Sequence, residues 1–166
     1  PAQILFNQSF TTNSFQEQVS STPFRVVHLA THGQFSSTAD NTFILTWDRR
    51  IDVKQLGELL RVREEVREPI ELLVLSACQT AEGDKRAALG LAGVAVRSGA
   101  RSTLATLWSV DDQSTSQLMT QFYQELSRNG TTKAEALRQA QLNLIKQPDF
   151  NHPYFWAPFV LVGNWL

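Results

Sequence analysis

Two short apolar runs constrain the fold of this chain more than any other feature. Residues 26–33 read VVHLATHG, and residues 72–80 read LLVLSACQT. Runs of this length that are apolar on both faces predict buried strands of a parallel sheet. The first run delivers His32 to its carboxyl end, and the second delivers Cys78, the only cysteine in the sequence. Because ligands bind outside the carboxyl ends of such strands, we expect both side chains at one sheet edge.

The composition is that of a globular domain with no polyanionic partner. A chain of 166 residues can bury roughly 70% of its unfolded surface. The net charge of −1 and the absence of a long apolar run argue against nucleic acid and membrane partners. A single cysteine forms no internal disulfide, which favours a reducing, cytoplasmic compartment. The chain starts at Pro1 without methionine, and we interpret it as a piece of a longer protein.

The centre of the chain has the pattern of a β-α-β unit. A strand over residues 70–76 precedes a small-residue helix over 89–98, and Gly99 is the expected left-handed stop. The strand that follows, over 102–107, is expected to run parallel because such crossovers are right-handed. Further predicted strands cover residues 3–6, 24–30, 43–47 and 159–162. The overall prediction is a single three-layer α/β domain over 1–166 with a mostly parallel central sheet.

Four helices are predicted outside this unit. The first is capped by Thr12 or Asn13, and the second is capped by Asp52. The third carries an apolar stripe between residues 118 and 126, and the fourth follows a capping box made by Thr132 and Glu135. The mixed-charge residues 61–68 are interpreted as a solvated face.

His32 and Cys78 have the chemistry of a nucleophile and its base. A thiol reacts as the thiolate, and a nearby imidazole favours that form and later protonates the leaving amine. The backbone N–H groups of Gly33 and Cys78 are the candidate oxyanion donors. The alternative is that Cys78 is a buried structural residue, as free cysteines often are. Its position directly before a polar loop argues for the reactive role.

A third predicted carboxyl end carries two acids, Asp111 and Asp112, after Trp108. By spacing alone these acids begin a helix, where an acid caps the first turn. One of them can cap while the other faces a pocket. The remaining histidines are interpreted as structural. Strict alternation would put His28 on the same face as His32, and His28 is interpreted as satisfied by backbone or a neighbour. His152 is interpreted as a turn residue.

No cofactor or metal is expected. One cysteine and scattered histidines are too few ligands for a zinc site. A nucleotide-binding domain is excluded because no glycine-rich phosphate loop follows any strand.

Six motifs in order resemble the CHAT domain. They are ATHG at 30–33, LSACQTAEGD at 75–84, GARS at 99–102, LWSVDD at 107–112, KAEAL at 133–137 and HPYFWAPFVLVG at 152–163. This caspase-like domain often follows tetratricopeptide repeats and is related to separases, legumains and caspases. The resemblance implies a caspase-type sandwich, a dyad of His32 and Cys78, and an oxyanion hole that involves Gly33. The style of the sequence resembles bacterial, especially cyanobacterial, members, many of which act in signalling or defence.

The resemblance also implies substrate-binding residues. In separase-like relatives an acid at the position of Asp112 binds a basic substrate side chain. Ser76, two residues before Cys78, would lie on the pocket wall, where legumain- and metacaspase-like relatives often carry an acid. Trp108 is interpreted mainly as a packing residue, with the wall of the substrate cleft as a second role.

The expected function is that of a caspase- or separase-like cysteine endopeptidase. It would prefer a basic residue before the scissile bond and be regulated by an upstream tetratricopeptide-repeat or other domain. The loops at 34–41 and 79–86 are candidates for ordering by such a regulator. The alternative is a catalytically silent CHAT-fold module for signalling or protein interaction.

Overall fold

The structure, a computed structural model, describes residues 2–61, 69–80, 90, 94 and 97–166, with the backbone alone at 61 and 77–80. Its strands form one six-stranded sheet in the order β3-β2-β1-β4-β5-β6. The strands are β1 Val26–Phe35, β2 Phe43–Leu45, β3 Arg50–Asp52, β4 Leu72–Thr80, β5 Ser102–Thr106 and β6 Phe159–Gly163.

The centre of the sheet is parallel, as predicted. β4 pairs in parallel with β1 on one side and with β5 on the other. The outer pairings, β1 with β2, β2 with β3 and β5 with β6, are antiparallel. The predicted β-α-β connection is therefore confirmed at both of its strands, and Gly99 has the left-handed conformation (φ 66°) expected of a helix stop.

Helices pack on both faces of the sheet. The described helices are α1 Thr12–Ser21, α2 Val53–Arg61, α3 Asp112–Leu126, α4 Lys133–Ile145 and α5 Pro153–Trp156. Residues 90, 94 and 97 are also helical, within the small-residue helix that the sequence predicted. In the described ranges, no helix is both long and apolar enough to span a bilayer.

The central strand β4 is buried on both faces. Leu73 and Leu75 pack with α1 and α2 in one core. Leu72 and Val74 pack with α3 and α4 in the other. Side chains alternate between the two faces of a strand, so a continuous apolar run can serve two cores. The α/β sandwich that the sequence predicted is confirmed.

Several local predictions differ from the structure. Residues 3–6 form no strand, and Ile4 and Phe6 are 80% and 74% exposed. The sequence missed β3, whose Arg50 guanidinium lies 3.8 Å from the centre of the Phe43 ring. It also missed α5, whose first turn is capped by His152.

The helix caps show how local contacts select a residue. α1 is capped by Thr11, and not by Thr12 or Asn13 as predicted, because the Thr11 hydroxyl accepts the Ser14 N–H at 3.1 Å. Thr132 caps α4 as predicted. The reciprocal half of that capping box is absent, because the Glu135 carboxylate binds Arg138 at 2.7 Å instead.

Candidate active site

The two strands that carry the predicted dyad are direct neighbours. Their register pairs Ala30 with Ser76 and Gly33 with Cys78. Neighbouring strands lie about 4.8 Å apart. The main chain at His32, one residue before Gly33, therefore lies beside the main chain at Cys78.

A β-bulge interrupts β1 at the candidate histidine. Gly33 lies three residues after Ala30 on β1, whereas their partners Ser76 and Cys78 are only two residues apart on β4. The extra residue is therefore Thr31 or His32. The Thr31 hydroxyl donates to the carbonyl of Leu45 on β2 at 2.6 Å, and His32 is exposed. Bulges occur beside active sites, where they redirect a side chain, and this one breaks the alternation that would relate His28 to His32.

Both strands continue past their predicted ends. β1 extends three residues beyond His32, and β4 extends two beyond Cys78. Gln34, which the sequence placed in a loop, pairs with Phe43 of β2 and with Gln79 of β4. Two flanking strands thus provide hydrogen-bonding partners for a polar stretch that sequence alone predicts to be open to water. The predicted loops at 34–41 and 79–86 are wrong for their first residues.

Part of the predicted site lies outside the described residues. The backbone of Cys78 is described and its side chain is not. Residues 81–89 also lie outside the described part, and so does most of the predicted loop 79–86.

A chain of three hydrogen-bonded side chains links β1, β4 and α3. His28 Nε2 lies 2.7 Å from the Ser76 hydroxyl. His28 Nδ1 lies 3.1 Å from the Tyr123 hydroxyl. Ser76 is buried, whereas His28 keeps exposed surface although both of its nitrogens have protein partners. Desolvation lowers the pKa of His28 and raises the pKa of Tyr123, so both side chains are neutral at pH 7. The interpretation of His28 as a satisfied histidine is confirmed.

The two acids after β5 have different environments. The Asp111 carboxylate caps α3 by accepting the Ser114 N–H at 2.8 Å. Asp112 is the first residue of α3 and is exposed. Within the described ranges, no hydrogen bond or ion pair involves its carboxylate. Of the two acids, Asp112 is therefore the one whose carboxylate has no partner among the described residues.

Trp108 holds the end of β5 against α5. Its indole N–H donates to the carbonyl of Tyr154 at 3.1 Å, and the residue is half-buried. This contact is the packing role that the sequence indicated.

Two further features can be compared with the predicted site: clusters of possible metal ligands and a surface cleft beside α1. No group of three or more His, Cys, Asp or Glu side chains in the described ranges could hold a metal ion. A surface cleft of about 280 Å³ is lined by Thr12, Gln16, Arg49, Ile51, Gln55, Glu58 and Leu59. None of these residues belongs to the predicted site.

The model of the CHAT domain family matches residues 1–164. The chain belongs to the CHAT-domain family. The family assignment agrees with the α/β sandwich described above, and the caspase-like fold expected from the six motifs is confirmed.

Two relatives of this CHAT domain carry the name tetratricopeptide repeat protein 28. The human protein is 30% identical over 118 residues, which are 68% of this chain and 5% of the relative. The mouse protein is 28% identical over 128 residues, which are 70% of this chain and 5% of the relative. The chain thus spans about a twentieth of the length of these relatives. Their name is consistent with the association of CHAT domains with tetratricopeptide repeats.

Sequence reasoning missed two features of this CHAT domain. The bulge has no composition signal, because Thr31 and His32 fit a regular strand equally well. The partnership of His28 with Tyr123 joins distant positions. The hydrogen bond between His28 and Ser76 did have a sequence signal, since both are polar residues inside adjacent apolar runs, two positions apart in register.

Proposed function

We propose that this CHAT domain is a cysteine endopeptidase in which Cys78 is the nucleophile and His32 is the general acid and base. The observation that supports the proposal most is the parallel register that pairs Gly33 with Cys78. It puts the backbone of His32, the residue before Gly33, beside the backbone of Cys78 on the neighbouring strand. Cys78 carries the only thiol of the chain. The bulge at Thr31 or His32 also supports the proposal, because bulges beside active sites redirect side chains.

The proposed reaction proceeds through a thioester. The Cys78 thiolate, paired with the His32 imidazolium, attacks the substrate carbonyl carbon and forms a tetrahedral oxyanion. The N–H groups of Gly33 and Cys78 stabilise that oxyanion. His32 then gives its proton to the leaving amine as the C–N bond breaks. In the second half, His32 takes a proton from water, hydroxide attacks the thioester, and the acid product leaves with the Cys78 thiolate restored.

The proposed substrate carries a basic side chain before the scissile bond. Asp112 supports this preference because its carboxylate is exposed and has no described partner, whereas Asp111 is committed to the helix cap. Trp108, which is half-buried, is the proposed neutral wall of the pocket. Ser76 is buried and its hydroxyl is bonded to His28, so it adds no charge to that wall. A neutral hydroxyl at Ser76 leaves a single carboxylate to set the charge preference.

The proposed setting is a longer cytoplasmic protein of which this domain is the effector. The relatives are named as tetratricopeptide repeat proteins, and a repeat domain upstream is the proposed regulator. Caspase-like catalytic loops are natural targets for such control, because ordering of loops completes catalytic sites.

Labelling with a peptidyl acyloxymethyl ketone tests the proposal. The probe should modify the wild-type chain at Cys78, and Cys78→Ala and His32→Ala should abolish modification without loss of the fold. His152→Asn is the matched histidine control, because asparagine can keep the cap of α5. Modification that survives in Cys78→Ala contradicts the proposal.

Matched probes test the substrate preference. A probe with arginine next to the reactive group should outcompete its citrulline isostere, which has the same shape and no charge. Asp112→Asn should remove most of that advantage, whereas Asp111→Asn should retain it because asparagine also caps helices. If neither the isolated domain nor its fusion to the upstream repeats is modified, the chain is the catalytically silent interaction module.

A further inference from the structure

The hydrogen-bonded chain of Ser76, His28 and Tyr123 has no part in the proposed reaction. It is nevertheless the point at which β1, β4 and α3 meet through side chains. β1 carries the candidate histidine, β4 carries the candidate cysteine, and α3 begins with the two acids. A role in arranging these three elements is therefore the first one to consider.

Hydrogen-bond accounting fixes the form of the imidazole. Ser76 is 3% exposed, and in the described part of the chain His28 is the one hydrogen-bond partner of its hydroxyl. A buried O–H without an acceptor is unfavourable. The Ser76 hydroxyl must therefore donate to Nε2, which leaves the proton of the neutral ring on Nδ1. Nδ1–H then donates to the oxygen of Tyr123, a half-buried residue whose own proton can reach solvent.

The bridge lies directly before the bulge. Ser76 is the β4 partner of Ala30, the last regular pairing on β1 before the register shifts. On the other side of β1, the Thr31 hydroxyl binds Leu45 of β2. The distorted segment that carries His32 is thus braced toward β4 by His28 and toward β2 by Thr31.

We propose that His28 is a positioning residue for the candidate dyad, bracing β1 against β4 and α3 immediately before the bulge that carries His32. The inference rests on the proposed function only in taking His32 and Cys78 as the reacting pair. The brace itself is a property of the fold.

The brace requires neutral His28. A protonated ring donates from both nitrogens, so the Ser76 proton would lose its acceptor inside the protein. The groups that face the ring are Ser76 of β4 and Tyr123 of α3, and neither is charged at neutral pH. Farther along the same elements are His32, Cys78 and Asp112. Two residues beyond Tyr123, the buried Glu125 is paired with Arg128 at 2.6 Å. Acidification should therefore release His28 from Ser76 toward solvent.

Two uncharged variants of His28 distinguish its hydrogen bond to Ser76 from its hydrogen bond to Tyr123. Glutamine at position 28 places its amide oxygen near the site of Nε2 and can accept from Ser76, while asparagine reaches only toward Tyr123. His28→Gln should keep the alkylation rate of Cys78 by iodoacetamide at pH 7 within about twofold of wild type. His28→Asn should lower it about fivefold, the loss expected for one hydrogen bond. The wild-type alkylation rate should also fall at acid pH as His28 becomes protonated. This part of the pH dependence should be missing in His28→Gln.

Nitrogen-15 NMR of the three histidines provides a readout independent of thiol reactivity. Wild-type His28 should show the Nδ1–H tautomer, and the His32 titration should shift in His28→Asn but not in His28→Gln. An Nε2–H tautomer at His28, or a His32 titration that is identical in all three proteins, overturns the inference. If Cys78 alkylates as an ordinary thiol in wild type, the proposed function fails, and the NMR titrations still decide whether the brace exists.

Discussion

Replacing Gly90 by alanine should destabilise this CHAT domain, although the same change stabilises most helices. Gly90 is helical, and Gly→Ala inside a helix usually adds about 0.5–1 kcal/mol of stability. Here a Cβ built on Gly90 would lie 1.9 Å from the carbonyl oxygen of Ser36. Normal contact is about 3.5 Å, so the backbones must separate by about 1.5 Å. Ser36 directly follows β1, so the separation also strains the strand that carries His32.

We expect Gly90→Ala to lower the free energy of unfolding by about 2 kcal/mol or more, since overpacking of this kind costs about 1–3 kcal/mol and occasionally more. For a domain of this size that corresponds to a fall in melting temperature of at least about 4 °C, measurable by calorimetry. Gly130→Ala is the control for backbone strain alone, because Gly130 has φ of +80° and nothing within 4 Å of a built Cβ. A melting temperature that is unchanged or raised in Gly90→Ala would refute the close approach.

Three further predictions concern stability. Asp111→Ala should cost about 1 kcal/mol in urea unfolding because it removes the cap of α3, whereas Asp112→Ala should change the same midpoint little. Thr103→Val should raise the melting temperature, because the Thr103 hydroxyl is fully buried and has no hydrogen-bond partner among the described residues, so its loss removes a desolvation penalty. Hydrogen bonds from Arg138 and Gln139, together with the charge of Arg138, lower the pKa of Glu135 to about 2 from a usual value of 4.5. The stabilisation from the ionised Glu135 carboxylate is therefore complete above pH 4.5 and is lost as the pH falls toward 2. In Glu135→Gln, the free energy of unfolding should depend less on pH between 4.5 and 2.

The burial of β4 was predictable because its apolar content leaves few alternatives, whereas the same prediction for β1 is wrong on one face, where Val26, His28 and Ala30 are exposed. Leu73 and Leu75 face one core and Leu72 and Val74 the other, with exposures of 0–1%. A run that is apolar at every position is stable only between two layers. The parallel direction of β4 and β5 then follows from the crossover connection between them.

The local chemistry of the site was less predictable because it depends on contacts between distant parts of the chain. The sequence has two acids, Asp111 and Asp112, at the start of α3, and it does not indicate which of them caps the helix. The choice of Asp111 depends on which backbone N–H, that of Ser114, lies within reach. In the same way, Gln34 is polar enough for a loop, and only the presence of strands on both sides makes it part of the sheet.

The register that forms the candidate dyad must be fixed by polar residues as well as by the core. A slip of one residue in strand pairing moves every side chain to the opposite face. On β4 such a slip exchanges Leu72 and Val74 for Leu73 and Leu75, so one apolar face merely replaces another. Ser76 does not tolerate the exchange, since on the other face its hydroxyl would leave His28 and enter an apolar core. The same polar contact that braces β1 therefore discriminates against the register in which Gly33 no longer lies opposite Cys78.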